Sequence, residues 1–177
     1  MVDLEKFKYN IIRNFLDQSE VDLLKEYCVI KHRDNKDSFD LIQTNTGDTS
    51  FYKDPLMQIF LKKKKNIIEK NLDVKLDETY TFWRCYTYNA TLEKHTDRPS
   101  CELSATIHID SDGTKWPIFM GGEPVELNPG DAVIYSGCNI EHWREPFEGD
   151  YHIQTFFHYV NANGPYAQYK GDMGKPQ

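Results

Sequence analysis

Residues 79–97, TYTFWRCYTYNATLEKHTD, decide how the rest of the chain is read. Their first ten residues are Tyr, Thr, Phe and Trp almost throughout, side chains that suit a pleated, half-buried surface, so they read as a strand. The stretch ends in His95-Thr96-Asp97, an imidazole and a carboxylate two residues apart. On extended backbone such positions point the same way, so both can reach one ion. Taken alone, His-x-Asp is a weak and common signal, and these three residues by themselves read first as a surface turn in which Asp97 caps Arg98.

Downstream, similar segments recur at short spacing: 101–109, 116–120, 123–127, 131–136, 140–145 and 151–160. Turn signals separate them: Gly121-Gly122 for a tight hairpin, and Asn128-Pro129-Gly130-Asp131 for a type II turn. Upstream, residues 9–16 read as an opening strand. Ser19 is the expected cap of a first helix, with Asp22 completing a partial capping box and Val21, Leu24, Tyr27 and Cys28 as its apolar stripe. Residues 32–50 read as a loop with a short strand from Phe39 to Ile42. Asp54-Pro55 opens a second helix with Leu56, Ile59, Phe60, Ile67 and Ile68 as its apolar face. The expected fold is mainly β (α+β), with N-terminal helices packed on one sheet of an antiparallel sandwich or barrel. Residues 1–160 form the expected single domain and 161–177 a loose tail.

Composition narrows the function classes. Of 177 residues, 39% are hydrophobic and the formal net charge is -7, so a packed core is available and no global field attracts nucleic acid. The basic run Lys62 to Lys65 reads as a solvated helix face. No stretch is apolar enough to span a bilayer, and the opening residues are too polar for a signal peptide, so a cytoplasmic protein is expected. Four separated cysteines then read as reduced thiols, and Asn89-Ala90-Thr91 as a chance glycosylation match. No phosphate loop, paired Cys-x-x-Cys or seryl elbow is present. Trp83, Trp116 and Trp143 read as packing residues, His32 and His158 as ordinary histidines, and Cys101 and Cys138 as inert thiols.

The best-placed third ligand is His142, which opens a predicted strand after the Ser136-Gly137 turn. Two imidazoles and a carboxylate on one face leave three coordination positions open, the facial triad of non-haem iron(II) oxygenases.

Residues 86–97 resemble the strand leading into the His-x-Asp ligands of the prolyl 4-hydroxylase-like group of 2-oxoglutarate/iron(II)-dependent dioxygenases, with Tyr86 nine residues before His95. Leu103–Asp110 resembles the next barrel strand. Residues 127–135, LNPGDAVIY, resemble the turn and strand before the distal His, and 9–28 the opening strand and helix. The run from Pro129-Gly-Asp through Glu141-His-Trp-Arg-Glu145 is the most specific part. The resemblance implies a double-stranded β-helix (a jelly-roll, cupin-like barrel), iron(II) at His95, Asp97 and His142, and 2-oxoglutarate and dioxygen as co-substrates, with ascorbate an optional addition.

One departure stands out. The family's cation for the distal carboxylate of 2-oxoglutarate falls nine to ten residues after the second His, where this chain has Tyr151 and His152. Arg144, on the same face as His142, is the expected substitute, with His152 its rival and His108 and Tyr86 adding hydrogen bonds. Arg98 is expected to order the mouth or meet substrate. The implied substrate is a prolyl residue of a peptide or a small amino-acid-like metabolite; nucleic acid is disfavoured. Two alternatives stay open: a cupin-like metalloprotein (an isomerase or a dioxygenase independent of 2-oxoglutarate), and a non-catalytic β-barrel binding module.

Overall fold

The structure is a computed structural model that describes residues 3–35, 39–40 and 48–172. In chain order the strands are β1 (Tyr9–Ile12), β2 (Phe39–Asp40), β3 (Asp48–Tyr52), β4 (Leu76–Thr87), β5 (Leu92–His95), β6 (Leu103–Ser111), β7 (Ile118–Met120), β8 (Glu123–Val125), β9 (Ala132–Ser136), β10 (His142–Arg144) and β11 (Tyr151–Asn161). Two helices precede β4: α1 (Gln18–Asp34) before β2, and α2 (Pro55–Leu72) after β3. The strands form a seven-stranded sheet ordered β1-β9-β6-β11-β4-β3-β2 and a four-stranded sheet ordered β5-β10-β7-β8, every pair antiparallel. From β5 onward the chain passes back and forth between the sheets: β6, β9 and β11 enter the large one, and β5, β7, β8 and β10 the small one. That alternation is the double-stranded β-helix expected from the sequence.

The local signals act through identifiable hydrogen bonds. At Gly121-Gly122 both φ angles are positive, +60° and +101°, as the tight β7–β8 hairpin needs. At Asn128–Asp131 the turn closes through the Asp131 amide onto the Asn128 carbonyl at 2.9 Å, with Gly130 at φ +89°. Part of the expected strand at 39–42 is present as β2; residues 41 and 42 lie outside the described residues.

Both helices depart from expectation in detail. The cap of α1 is Asp17, not Ser19: its carboxylate accepts the Glu20 amide at 2.9 Å and Glu20 accepts the Asp17 amide at 2.9 Å. A carboxylate with Glu three residues on makes the full reciprocal box, which outcompetes the half box offered by Ser19 and Asp22. The buried face of α2 is Met57, Phe60, Leu61, Lys64, Ile68 and Leu72, whereas Ile59 and Ile67 are exposed. The basic run is also more than a solvated face. Lys63 and Lys64 both pair with the buried Glu20, tying α2 to the start of α1, and Lys65 pairs with Glu78. The helices lie on the outer face of the large sheet, sharing one core with Trp83, Leu103, Ala105, Ile107 and Phe157. No described helix is long and apolar enough to cross a membrane.

Asp54 is the most heavily used cap. Its side chain accepts the Leu56 and Met57 amides, the Tyr27 hydroxyl at 2.8 Å and a short contact from Lys31. Burial alone would raise this carboxyl, but the hydrogen bonds from Lys31 and Tyr27 outweigh it and hold it below the usual range. Asp54→Ala should therefore cost about 2–4 kcal/mol in denaturant unfolding, combining a lost cap with a stranded Lys31. Because the folded carboxyl is depressed, that contribution is complete above the unfolded value of about 4 and lost as pH falls through the folded one. The gap between wild type and variant should close in acid.

Beyond β11 the stretch expected to be a loose tail contains a 3-10 turn, Ala167–Tyr169, and the buried Asp172.

Candidate metal centre

β5 and β10 are neighbours in the small sheet, and their register sets His95 directly opposite His142. The two rings lie 4.3 Å apart, centre to centre. His142 Nε2 is 3.5 Å and His95 Nε2 3.6 Å from Asp97 Oδ1. All three ligand atoms fall within 4.8 Å of one another, so one small cation can touch them together. In each histidine, Nδ1 faces a carbonyl: that of Glu93 at 2.6 Å from His95 and that of Ile140 at 3.0 Å from His142. A carbonyl only accepts, so Nδ1 carries the proton and Nε2 keeps its lone pair for a metal.

The carboxylate is aimed with equal care. Ser104 Oγ donates to Asp97 Oδ2 at 2.9 Å, leaving Oδ1 to the imidazoles. Having given its one proton to Asp97, Ser104 accepts from His158 Nδ1 at 2.9 Å. The Asp97 amide donates to the Gly137 carbonyl at 2.8 Å, pinning the ligand loop to the turn after β9. A side chain on Gly137 would meet Cys101 O at 2.2 Å and Asp97 Oδ2 at 2.4 Å. Desolvation would raise the Asp97 carboxyl, but hydrogen bonds from the His142 and His95 rings in their protonated form, in the place a cation would take, outweigh it and hold it far below the carboxylate range. It is thus a permanent anion at neutral pH, as a ligand must be.

Ser104, Gly137 and His158 are contributors that sequence reading missed or gave no role. Strand alternation offered one hint: Ser104, Thr106 and His108 share a face of β6.

Arg144 is buried, on the strand of His142. Its guanidinium lies 4.5 Å over the Trp116 ring and donates to the Trp116 carbonyl, in a short contact, and to Gln154 Oε1 at 2.6 Å. No carboxylate pairs with it among the described residues, and its Nε has no partner. The neighbouring acids are engaged elsewhere, Glu141 with Lys94 and Glu145 with the Trp143 indole. Burial pushes Arg144 down to about 10, still charged at neutral pH. A buried cation lacking a counter-charge is costly unless an anion arrives.

Tyr86 packs edge-on to Trp116, opposite His152 in the β4–β11 register. His152 stacks on His108 at 4.3 Å, and neither nitrogen of His152 nor Nε2 of His108 has a partner among the described residues. Burial depresses both histidines, and the charge of Arg144 adds to it, so both are neutral. With Ser111, Thr114, Lys115 and Trp116 they line a cavity of about 270 Å³ to which the three metal-facing residues and Arg144 do not contribute. His108 stands four residues along β6 from Ser104, about 13 Å at strand rise, so this cavity lies well away from the Asp97 end.

No family model matches the chain, and no curated protein does. Solved structures do. A Pseudomonas putida prolyl-4-hydroxylase superimposes with a TM-score of 0.66 at 18% identity, over 90% of this chain and 95% of that one. The viral collagen prolyl hydroxylase of Paramecium bursaria Chlorella virus-1, solved as a 2-oxoglutarate complex, gives 0.67 at 11% identity over 89% and 98%. The non-heme alpha-ketoglutarate-dependent carbocyclase SnoK of nogalamycin biosynthesis gives 0.73 at 13% identity over 89% and 81%. The likeness runs almost end to end while the sequences have diverged widely. This chain has the double-stranded β-helix fold of the 2-oxoglutarate–iron(II) oxygenases, the prolyl 4-hydroxylases among them.

Proposed function

We propose that this protein is an iron(II)- and 2-oxoglutarate-dependent oxygenase that hydroxylates an unactivated C–H bond of an amino-acid-like molecule, free or within a peptide. The observation that carries the reading is the convergence of two Nε2 lone pairs and one carboxylate oxygen, each oriented by its own hydrogen bond. When bound, iron(II) with 2-oxoglutarate and dioxygen supplies the oxidation: one oxygen atom goes to the substrate, and succinate and carbon dioxide leave.

His95, Asp97 and His142 hold the ion on one face and leave the other open. Arg144 receives the distal carboxylate of 2-oxoglutarate through its planar fork, with Gln154 and the Trp116 carbonyl fixing its plane. His152 occupies the family's usual cation position but is neutral, which favours Arg144 as the anchor. His108, His152 and Tyr86 then flank that anchor. Trp116, Phe147 and Tyr86 keep the surroundings of Arg144 dry.

Anaerobic titration of the iron(II) protein with 2-oxoglutarate tests the reading. A weak visible charge-transfer band should grow to saturation at one equivalent; a cupin-like metalloprotein that does not use 2-oxoglutarate would bind iron without it. Arg144→Ala should weaken 2-oxoglutarate binding about 100-fold and leave iron affinity within about threefold of wild type. Unchanged 2-oxoglutarate affinity would remove Arg144 from the role.

A further inference from the structure

Beside the metal centre the chain holds one of its own carboxylates in a built site. Arg98 follows Asp97 in sequence, and its Nη2 donates to Asp172 Oδ2 at 2.9 Å. Tyr52 donates its hydroxyl to the same oxygen in a short hydrogen bond. The Arg98 guanidinium lies over Tyr80, 4.7 Å from the ring centre. Tyr80 in turn packs against Tyr52 at 5.1 Å and His158 at 4.4 Å. His158 donates to Ser104, the hydroxyl that holds Asp97. An unbroken run of touching groups therefore joins the Asp172 carboxylate to the metal-facing one.

Asp172 is an ill-fitting occupant. It sits at φ +51°, in the left-handed region that few residues other than glycine, asparagine and aspartate enter. Its carboxylate is fully buried, yet Oδ1 has no hydrogen-bond partner among the described residues. A carboxylate facing a guanidinium can use both oxygens in a parallel pair; here only one is engaged. The segment delivering it is held by the Gly171 amide to the Glu78 carbonyl and the Asp172 amide to the Tyr169 carbonyl, both at 2.9 Å, by Lys53 Nζ to the Gly171 carbonyl at 2.9 Å, and by Lys170 Nζ paired with Asp77 at 2.7 Å.

We propose that Arg98 and Tyr52, shelved on Tyr80, form the subsite for a carboxylate of the substrate, and that Asp172 fills it until substrate displaces it. The proposal rests on the oxygenase reading and narrows its substrate to a small molecule of the amino-acid type carrying a free carboxylate. A free acid can present both oxygens to the Arg98 guanidinium, where Asp172 engages only one, so displacement has a driving force.

The subsite can be tested without iron or 2-oxoglutarate. Thermal unfolding of Asp172→Ala should shift upward by about 2–4 °C on adding near-saturating sodium acetate, and not with sodium chloride at equal ionic strength. Adding Arg98→Met should abolish the acetate response. A second measurement needs no Asp172 variant. With iron and 2-oxoglutarate, succinate release by the wild-type protein should favour free acids over their carboxamides by about tenfold or more in KM. Arg98→Met should erase that preference. Equal responses to acetate and chloride, an acetate response that survives loss of Arg98, or no discrimination against carboxamides would overturn the subsite and leave the metal reading untouched. Acetate rescue with no succinate from any free acid would keep the subsite and sink the oxygenase reading beneath it.

Discussion

Asp97→Ala should abolish tight iron(II) binding and cut succinate release by about three orders of magnitude or more, since even residues behind the ligands of a metal site cost 10–100-fold when removed. The variant keeps both imidazoles, each still oriented by its carbonyl, but the only anion of the set is gone. Two such nitrogens hold a divalent ion far more weakly than a charged triad. The loss should be specific. Asp97 lies between β5 and β6, so the cores on either side of the sheets are untouched and circular dichroism should match wild type. Equilibrium dialysis under anaerobic conditions reads the metal loss directly. A variant that retained one tightly bound iron and wild-type succinate release would overturn the assignment.

Gly137→Ala should be nearly as damaging, although its side chain would touch no substrate. The added methyl would sit 2.2 Å from the Cys101 carbonyl oxygen and 2.4 Å from Asp97 Oδ2. The first is backbone of the turn at Pro99–Cys101, and that carbonyl also lies within reach of the Ser104 hydroxyl. The second is the carboxylate that Ser104 steers. The first cannot swing aside and the second can do so only by leaving Ser104, so the turn after β9 must move away from the ligand loop and stretch the 2.8 Å bond from the Asp97 amide to the Gly137 carbonyl. Overpacking at such a site costs about 1–3 kcal/mol. Rotating Asp97 should weaken metal binding by about 10–100-fold, the range seen when groups that orient metal ligands are lost. Urea unfolding and iron titration on the same preparation would show both. Stability within about 0.5 kcal/mol of wild type together with unchanged affinity would mean that the close approach is not obligatory.

Much of this was legible in the sequence because the determining signals are local. Hairpin glycines, the Asn-Pro-Gly-Asp turn, the Asp54-Pro55 helix start and tyrosine-rich strands each act over a few residues, and each works that way in the fold. His-x-Asp could be read because extended backbone puts alternate side chains on one face. The failures were of two kinds. At α1, two overlapping capping signals competed and the stronger box lay two residues earlier. At α2, the buried stripe includes Lys64, whose charge hides it from any apolar count until Glu20 is brought beside it by the packing of two helices. Gly137 and Gln154 gain their roles only when the turn after β9 and β11 are assembled, so no spacing announces them; for Ser104 the alternation along β6 gives a face and not a role. The neutrality of His152 is likewise a product of burial and of Arg144, neither of which a sequence displays.

The fold also presents a rival to the proposed centre. Asp97, Cys101 and His158 place a carboxylate oxygen, a thiol sulfur and an imidazole nitrogen within 4.8 Å of one another. The two sets share Asp97 and so cannot both be filled in the same way. Burial holds the Cys101 thiol well above its ordinary range, and the charge of Asp97 adds to it, which disfavours the thiolate a metal would need. The hydrogen bond between Ser104 and His158 Nδ1 occupies that imidazole edge as well. X-ray absorption of the protein loaded anaerobically with iron(II) separates the two sets. The triad of His95, Asp97 and His142 predicts one iron per chain with only nitrogen and oxygen neighbours, two of them imidazoles; a sulfur neighbour at about 2.3 Å, or no bound iron at all, would contradict it.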